Sequence, residues 1–376
     1  MEEIGKRRLA AVAAVFAGIL YFFACASPLR KELVLEPVWA RSLEPAAGGA
    51  PAAKPAKAQG ARPAAEAGGA GTESSAKPHY FSLAGRFGYF DAEGELLYSA
   101  AVPYGVALAP DAFATYERLS AGFAIRSPSG EELARASLPG YPFFDAGRRF
   151  VLAPDQCSVT EIGPDGRALW SRQFGSVITA YGGSPDLAAF GLMDGSIVGL
   201  GLRGEELLSF APGGSRLPGI YGVAVSPDGL LVAAVCGLDK QRLVVLEKRS
   251  SAYRVTFHRW LDSDFRRPLA MSFTADGRHL VYEAPGGAGI YERGTRRESL
   301  IAAGSVGRVG EAVEGLGMLA LLAGSGEERL LVCASPDDRR LIDLRLRASD
   351  ASLEVDGNSF FLGLDGNLIR MDLREE

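Results

Sequence analysis

Val223-Ala-Val-Ser-Pro-Asp-Gly-Leu-Leu-Val-Ala233 sets two apolar runs on either side of Pro227-Asp228-Gly229. Proline presets φ for a turn, aspartate folds back on its local main chain, and glycine takes the positive φ that a tight reversal needs. The flanking runs are rich in valine and too short for a buried helix, so the stretch reads as a β-hairpin. Two further apolar runs follow at 242–246 and 253–257, making residues 220–263 a unit of four short strands. Residues 176–212 and 269–303 repeat the plan.

The same kind of hairpin is centred at Asp111, Ala146, Asp186, Asp228, Asp276, Gly315 and Asp356, in steps of 35, 40, 42, 48, 39 and 41 residues. A period of 40–45 residues built from short strands is the signature of a propeller blade. A pair of sandwiches, the other large all-β architecture, gives no reason for one hairpin to return at one period. The expectation is an all-β, seven-bladed β-propeller of four-stranded antiparallel blades over residues 79–376, with eight blades as the alternative. In the seven-bladed ring, Leu96–Val102 completes the last blade as its outer strand. A blade assembled from both ends of the domain removes an exposed edge.

The hairpin at 223–233 resembles the first hairpin of a WD40 or YVTN-type blade, and Asp165-Gly-Arg-Ala-Leu-Trp170 resembles the turn and tryptophan of quinoprotein-like repeats. The likeness is one of pattern over residues 80–373. It implies a divergent propeller of the WD40-like or quinoprotein-like kind. The Trp-Asp and Gly-His pairs of strict WD40 repeats are absent, and the quinoprotein tryptophan stands out once.

Before the repeats lie two segments of different texture. Lys6-Arg7-Arg8 precedes an uncharged run from Leu9 to Ala24, followed by Cys25-Ala26-Ser27-Pro28. A short basic tail and an apolar run of this length form an export signal or membrane anchor, expected as an N-terminal apolar helix over 1–28. Three outcomes stay open: an uncleaved anchor, cleavage near Ala26, or a lipid on Cys25. Each puts the repeats outside the cytoplasm. Residues 44–78 hold 13 Ala, 5 Pro and 6 Gly with no aromatic or large aliphatic residue, so they are expected to be a disordered spacer. Residues 29–43 form a small apolar island, either juxtamembrane or docked elsewhere.

Chemistry is sparse. The net charge of −5 and an isoelectric point near 5.5 argue against nucleic acid as the main partner, since such domains usually carry a basic face. Four cysteines and three histidines form no metal-ligand spacing, and no nucleophile elbow, phosphate loop or cofactor cage is legible, so no cofactor and no enzymatic activity are expected. The loops between blades and those between second and third strands share one face of a propeller. Candidate partner-binding residues on them are Tyr141, Arg216, Lys240, Arg242, Asp262, Asp264, Phe265, Arg266 and Arg267. The expected function is a membrane-anchored protein-interaction scaffold of the cell envelope. An extracytoplasmic propeller enzyme with a site in the central channel is the alternative.

Overall fold

The computed structural model describes residues 33–43 and 77–375 apart from 119, 305, 309–311, 314–317 and 337–338. The expected N-terminal helix over 1–28, the spacer over 44–76 and the hairpin centre at Gly315 lie outside the described residues. Every regular element described is a strand, and the strands form eight antiparallel sheets.

The first four strands are β1 (Leu33–Ser42), β2 (His79–Leu83), β3 (Arg86–Phe90) and β4 (Leu96–Ala101). Blade 1 is β2-β3-β4, and blades 2 to 6 each run four strands in sequence from Gly105 to Ala302. In blade 7 the inner position is split between Val306–Arg308 and Ala312–Val313, which both pair with Met318–Ser325. Blade 8 uses Ala351–Asp356, Ser359–Leu364 and Asn367–Glu375, and its fourth, outer strand is β1.

This corrects the sequence expectation twice. The ring has eight blades, and the strand that closes it is Leu33–Ser42, while Leu96–Ala101 belongs to blade 1. The β1 pairing runs from Leu33 opposite Glu375 to Ser42 opposite Asn367, with a bulge between Pro37 and Trp39. Proline has no N–H to donate, and an outer strand with a bulge is where a sheet tolerates one. Along 33–43 the apolar island is therefore docked on the propeller. Leu33 and Leu35 pack on the blade 7–8 core, and Trp39 and Leu43 on the blade 8–1 core.

The core is divided among the joints. Eight clusters of buried side chains fill the eight interfaces between successive blades. Each blade thus buries both faces. This explains strands such as Leu231–Cys236, buried along their whole length rather than on alternate residues.

A recurring main-chain bond ties the end of each outer strand to its blade. Just past an outer strand, Phe174, Leu261, Ala303 and Ala348 donate their N–H to Cys157, Gln241, Gly286 and Glu327, at 2.8–3.1 Å. Each acceptor lies in its blade's turn between second and third strands. Leu43 donates likewise to Gly366 at 2.7 Å, and Val102 to Gly85 at 2.9 Å. Arg293, just past a third strand, makes the same kind of bond to Arg278 at 2.8 Å, so the position of β4 is set by a second contact. Trp39 of β1 donates to Ala92 in the β3-β4 turn as Trp170 of an outer strand donates to Leu202 in a third–fourth turn, which makes β4 an outer strand and β2-β3 a second–third hairpin. Blade 1 therefore has no inner strand among the described residues.

Candidate upper-face interaction site

We call the face carrying the interblade loops and the second–third turns the upper face. All nine candidate residues lie on it, but the structure gathers only some of them. Arg216, Lys240, Arg242, Asp262, Asp264, Phe265, Arg266 and Arg267 come from three neighbouring segments around blades 5 and 6. Tyr141, at the head of the inner strand of blade 3, stands apart. It lies at the end of a tyrosine row, its ring 6.0 Å from Tyr116, which in turn lies 6.1 Å from Tyr104.

Gln241 organises the cluster. It is fully buried in the second–third turn of blade 5. Its Nε2 donates to the Phe265 carbonyl at 2.6 Å, and its Oε1 accepts from Ser263 Oγ at 2.6 Å and from the Phe265 N–H at 3.3 Å. The Gln241 carbonyl also accepts from the Leu261 N–H at 2.9 Å. One amide thus satisfies three polar groups of the 261–265 loop, and each would be costly to bury unpaired. Sequence reasoning passed over Gln241, since a single glutamine in a turn carries no signal of burial.

Around this clamp the charged groups point outward. Asp239, Lys240, Trp260, Leu261, Asp262, Ser263 and Asp264 line a cavity of about 540 Å³. Asp239 accepts from Ser215 Oγ and lies 3.7 Å from Arg216. The Ser215 hydroxyl is the main cause holding its carboxyl below the usual carboxylate range. Arg242 lies over the Trp260 ring, 5.3 Å from its centroid, and donates to the Pro212 carbonyl at 3.4 Å. A Cβ on Gly214 would come within 2.8 Å of the same indole, so the 211–219 loop seals one edge of Trp260 while the ring stays 46% exposed.

Arg267 plays another part. It donates from Nη1 to Glu283 Oε2 at 2.8 Å, beside a carboxylate almost wholly buried, and its guanidinium sits 5.3 Å from the Phe265 ring. Hydrogen bonding to Glu283 raises its pKa further. Arg267 and Phe265 therefore hold the loop's base. Asp262, Asp264 and Arg266 stand exposed on its outside. The result is a rigid loop with an acidic rim of Asp239, Asp262 and Asp264, one lysine and an accessible indole. Aromatic and charged groups on a fixed frame suit a partner protein surface, with the carboxylates selecting basic side chains. Among the described residues no group of three or more His, Cys, Asp or Glu lies close enough to share a metal ion.

Comparison with known proteins agrees with this architecture. A family model described as a beta-propeller protein matches residues 1–376. A Treponema pallidum (strain Nichols) protein named only as uncharacterized is 28% identical over 356 residues, covering 94% of this chain and 91% of its own. Among solved structures, BamB from Moraxella catarrhalis superimposes with a TM-score of 0.60 at 12% identity, covering 90% of this chain and all of that one. The computationally designed Ika8 protein gives 0.59 at 16% identity, covering 79% and 93%.

Proposed function

The chain belongs to the beta-propeller protein family, and from that premise we propose that it is a non-enzymatic scaffold, tethered to a membrane by its N-terminal segment and displayed outside the cytoplasm. Its upper face at blades 5 and 6 docks a partner protein. The observation that carries this reading is the Gln241 clamp. A buried amide is used to hold one exposed loop in one shape, and that loop presents Asp262, Asp264 and Arg266 beside Trp260. Binding residues are commonly loop residues held by a rigid frame, and a loop ordered in advance loses less entropy on association. The basic tail Lys6-Arg7-Arg8 and the uncharged run to Ala24 support the tether.

Within the family, a quinoprotein-like kinship has a second support. Trp170 of blade 3 donates its indole N–H to Leu202 in the third–fourth turn of blade 4. Trp39 of blade 8 donates in the same way to Ala92 of blade 1. The tryptophan dock thus occurs twice, where the sequence pattern showed it once.

A photo-crosslinking residue placed at Arg266 in intact cells should yield a discrete adduct. The same residue at Arg167, in the third–fourth turn of blade 3 on the opposite face, should not. Gln241→Ala should cut the Arg266 adduct severalfold while the protein still folds. Equal labelling from both faces, or none from either, overturns the docking face. An alkaline phosphatase fused after Glu376 that stays inactive overturns the location.

A further inference from the structure

On the face opposite the interblade loops, the inner strands of blades 3 to 6 end around the central channel. Their last residues and the turns that follow line a cavity of about 600 Å³, a size that suits a small molecule. Phe143, Tyr181, Met271 and Phe273, from blades 3, 4 and 6, give the wall its apolar character. Against them stands one carboxylate, Asp145, the last residue of the inner strand of blade 3. The described lining residues include no lysine, arginine or histidine.

A tight turn places that carboxylate. Ala146 and Gly147 both take positive φ, +49° and +75°, as a two-residue hairpin requires. Asp145 stands at the shoulder of the turn and is exposed. The two arginines beyond the turn are engaged elsewhere. Arg148 donates to both oxygens of Glu161, at 2.8 and 2.6 Å, and Arg149 pairs with Asp111 at 2.7 Å. Asp145 joins no ion pair among the described residues. Enclosure by the surrounding wall holds its carboxyl above the usual carboxylate range, and the Tyr181 hydroxyl and the Ala146 N–H lessen that effect.

Tyr181 brings a second polar atom to the same place. Its ring packs edge-on against Phe143, with centroids 4.9 Å apart. Its hydroxyl is buried, and no described group meets it in hydrogen-bond geometry. A buried hydroxyl left in that state costs stability, and a ligand that bonds to it recovers the loss. Gly183 keeps the approach open. A Cβ at 183 would fall within 2.5 Å of both Tyr181 Oη and Asp145 Oδ2, so the two oxygens converge on one small space that any side chain there would close.

We propose that this cavity binds a small organic cation, a primary ammonium group on an aromatic body. The ammonium sits between Asp145 and Tyr181 and donates a hydrogen bond to each, in the space that Gly183 leaves. The bond to the carboxylate is charge-assisted and is the stronger of the two. The body lies against Phe143, Met271 and Phe273, and the aromatic wall itself attracts a cation. An anion meets an unneutralised carboxylate, and a neutral ligand leaves that carboxylate unpaired, so charge sets the selectivity. The site lies on the other face from the docking loop of blades 5 and 6 and does not depend on it.

Fluorine NMR titration of the full chain, measured against detergent alone, tests this with 4-fluorophenethylamine as probe. Its affinity should exceed those of 2-(4-fluorophenyl)ethanol and 4-fluorophenylacetate at least tenfold. Asp145→Asn keeps the shape and removes the charge; it should weaken the amine at least tenfold and leave the alcohol within twofold. Gly183→Ala should weaken the amine as much. If that variant does not fold, Tyr181→Phe takes its place, with an expected loss of severalfold. Asp165→Asn, at an exposed carboxylate of the same face, should change nothing. Equal affinity for amine and alcohol overturns the proposal, as does amine binding that ignores Asp145→Asn or falls equally in Asp165→Asn. Amine binding that appears only when residues 44–76 are replaced by Gly-Ser repeats also overturns it, for the site would then belong to the chain's own connection.

Discussion

Trp39 donates its indole N–H to the carbonyl of Ala92 at 3.0 Å, joining the outer strand of blade 8 to blade 1 across 53 residues of sequence. The turn that offers this carbonyl is built by Asp91, whose Oδ1 accepts from the Glu93 N–H at 3.1 Å and the Glu95 N–H at 2.8 Å. Gly94, at φ +82°, completes it, and a Cβ there would come within 3.0 Å of the Trp39 ring. Trp170 and Gly204 repeat the arrangement at the joint between blades 3 and 4, with the indole donating to Leu202 at 3.2 Å.

These two joints give a matched prediction. Trp39→Phe keeps a ring but loses the donor, and should cost about 1 kcal/mol. Trp39→Ala removes the packing as well and should cost about 2–4 kcal/mol, toward the lower end because the indole is only partly buried. The same pair at Trp170 should give similar values. The two alanine substitutions should add within about 0.5 kcal/mol, since they act at different joints. Denaturant unfolding of the four single variants and the double variant checks this. A cost at Trp39 far below that at Trp170 would mean that β1 is not docked in solution.

The blade count shows how far the sequence could be read. The recurrent hairpin at Asp111, Ala146, Asp186, Asp228, Asp276 and Asp356 is in each case the turn between inner and second strands of blades 2 to 6 and 8. Gly315 lies outside the described residues. Blade 1 has no inner strand among the described residues, so it offers no such hairpin, and a count of hairpins stops at seven. β1 was hidden for another reason. An outer strand is half exposed and need not alternate, and the strand it pairs with among the described residues lies more than 320 residues away, so nothing local marks it. The upper-face cluster was legible as loops with charge. The Gln241 clamp was not, because burial of a turn amide depends on a loop some 20 residues further on.

The cysteines supply a prediction with a pH axis. Burial pushes the Cys236 thiol up to about 11 and the Cys333 thiol up to about 12. The thiolate is the reactive form, so at pH 8 only about one Cys236 in a thousand is ionised in the folded state, and fewer of Cys333. Cys157 is partly exposed and unpaired. In a Cys25→Ser chain, a thiol reagent at pH 8 should label Cys157 rapidly and the other two only on unfolding. Raising the pH by one unit should speed native labelling of Cys236 about tenfold, because its thiolate fraction grows in that proportion until the fold itself opens. Fast stoichiometric labelling of Cys236 in the native protein would show that the joint between blades 4 and 5 is open.

Ring closure gives the sharpest test of the architecture, because the eight-bladed and seven-bladed rings disagree about one segment. In the structure, Asn367–Glu375 is hydrogen-bonded on both sides, to Ser359–Leu364 and to β1. Deleting 367–376 removes the buried Leu368 and Leu373 and the partly buried Ile369 and Met371, whose burial is worth at most about 6–10 kcal/mol before allowance for a compact denatured state. That matches the whole net stability of an ordinary domain, so this deletion should abolish folding in either ring. Deleting 33–43 discriminates. A seven-bladed ring closed by Leu96–Val102 would not notice the loss. The observed ring loses Leu33, Leu35, Trp39 and Leu43 from two joints and exposes the outer edge of Asn367–Glu375. The expected result is a fall in melting temperature of many degrees, with Trp170, three blades away, losing its signal in the same transition when Trp260 is replaced by Phe. A synthetic peptide of residues 31–44 added in excess should restore much of the loss, since it supplies the missing strand without the chain connection. An unchanged melting curve after deletion of 33–43, with no response to the peptide, would remove β1 from the ring.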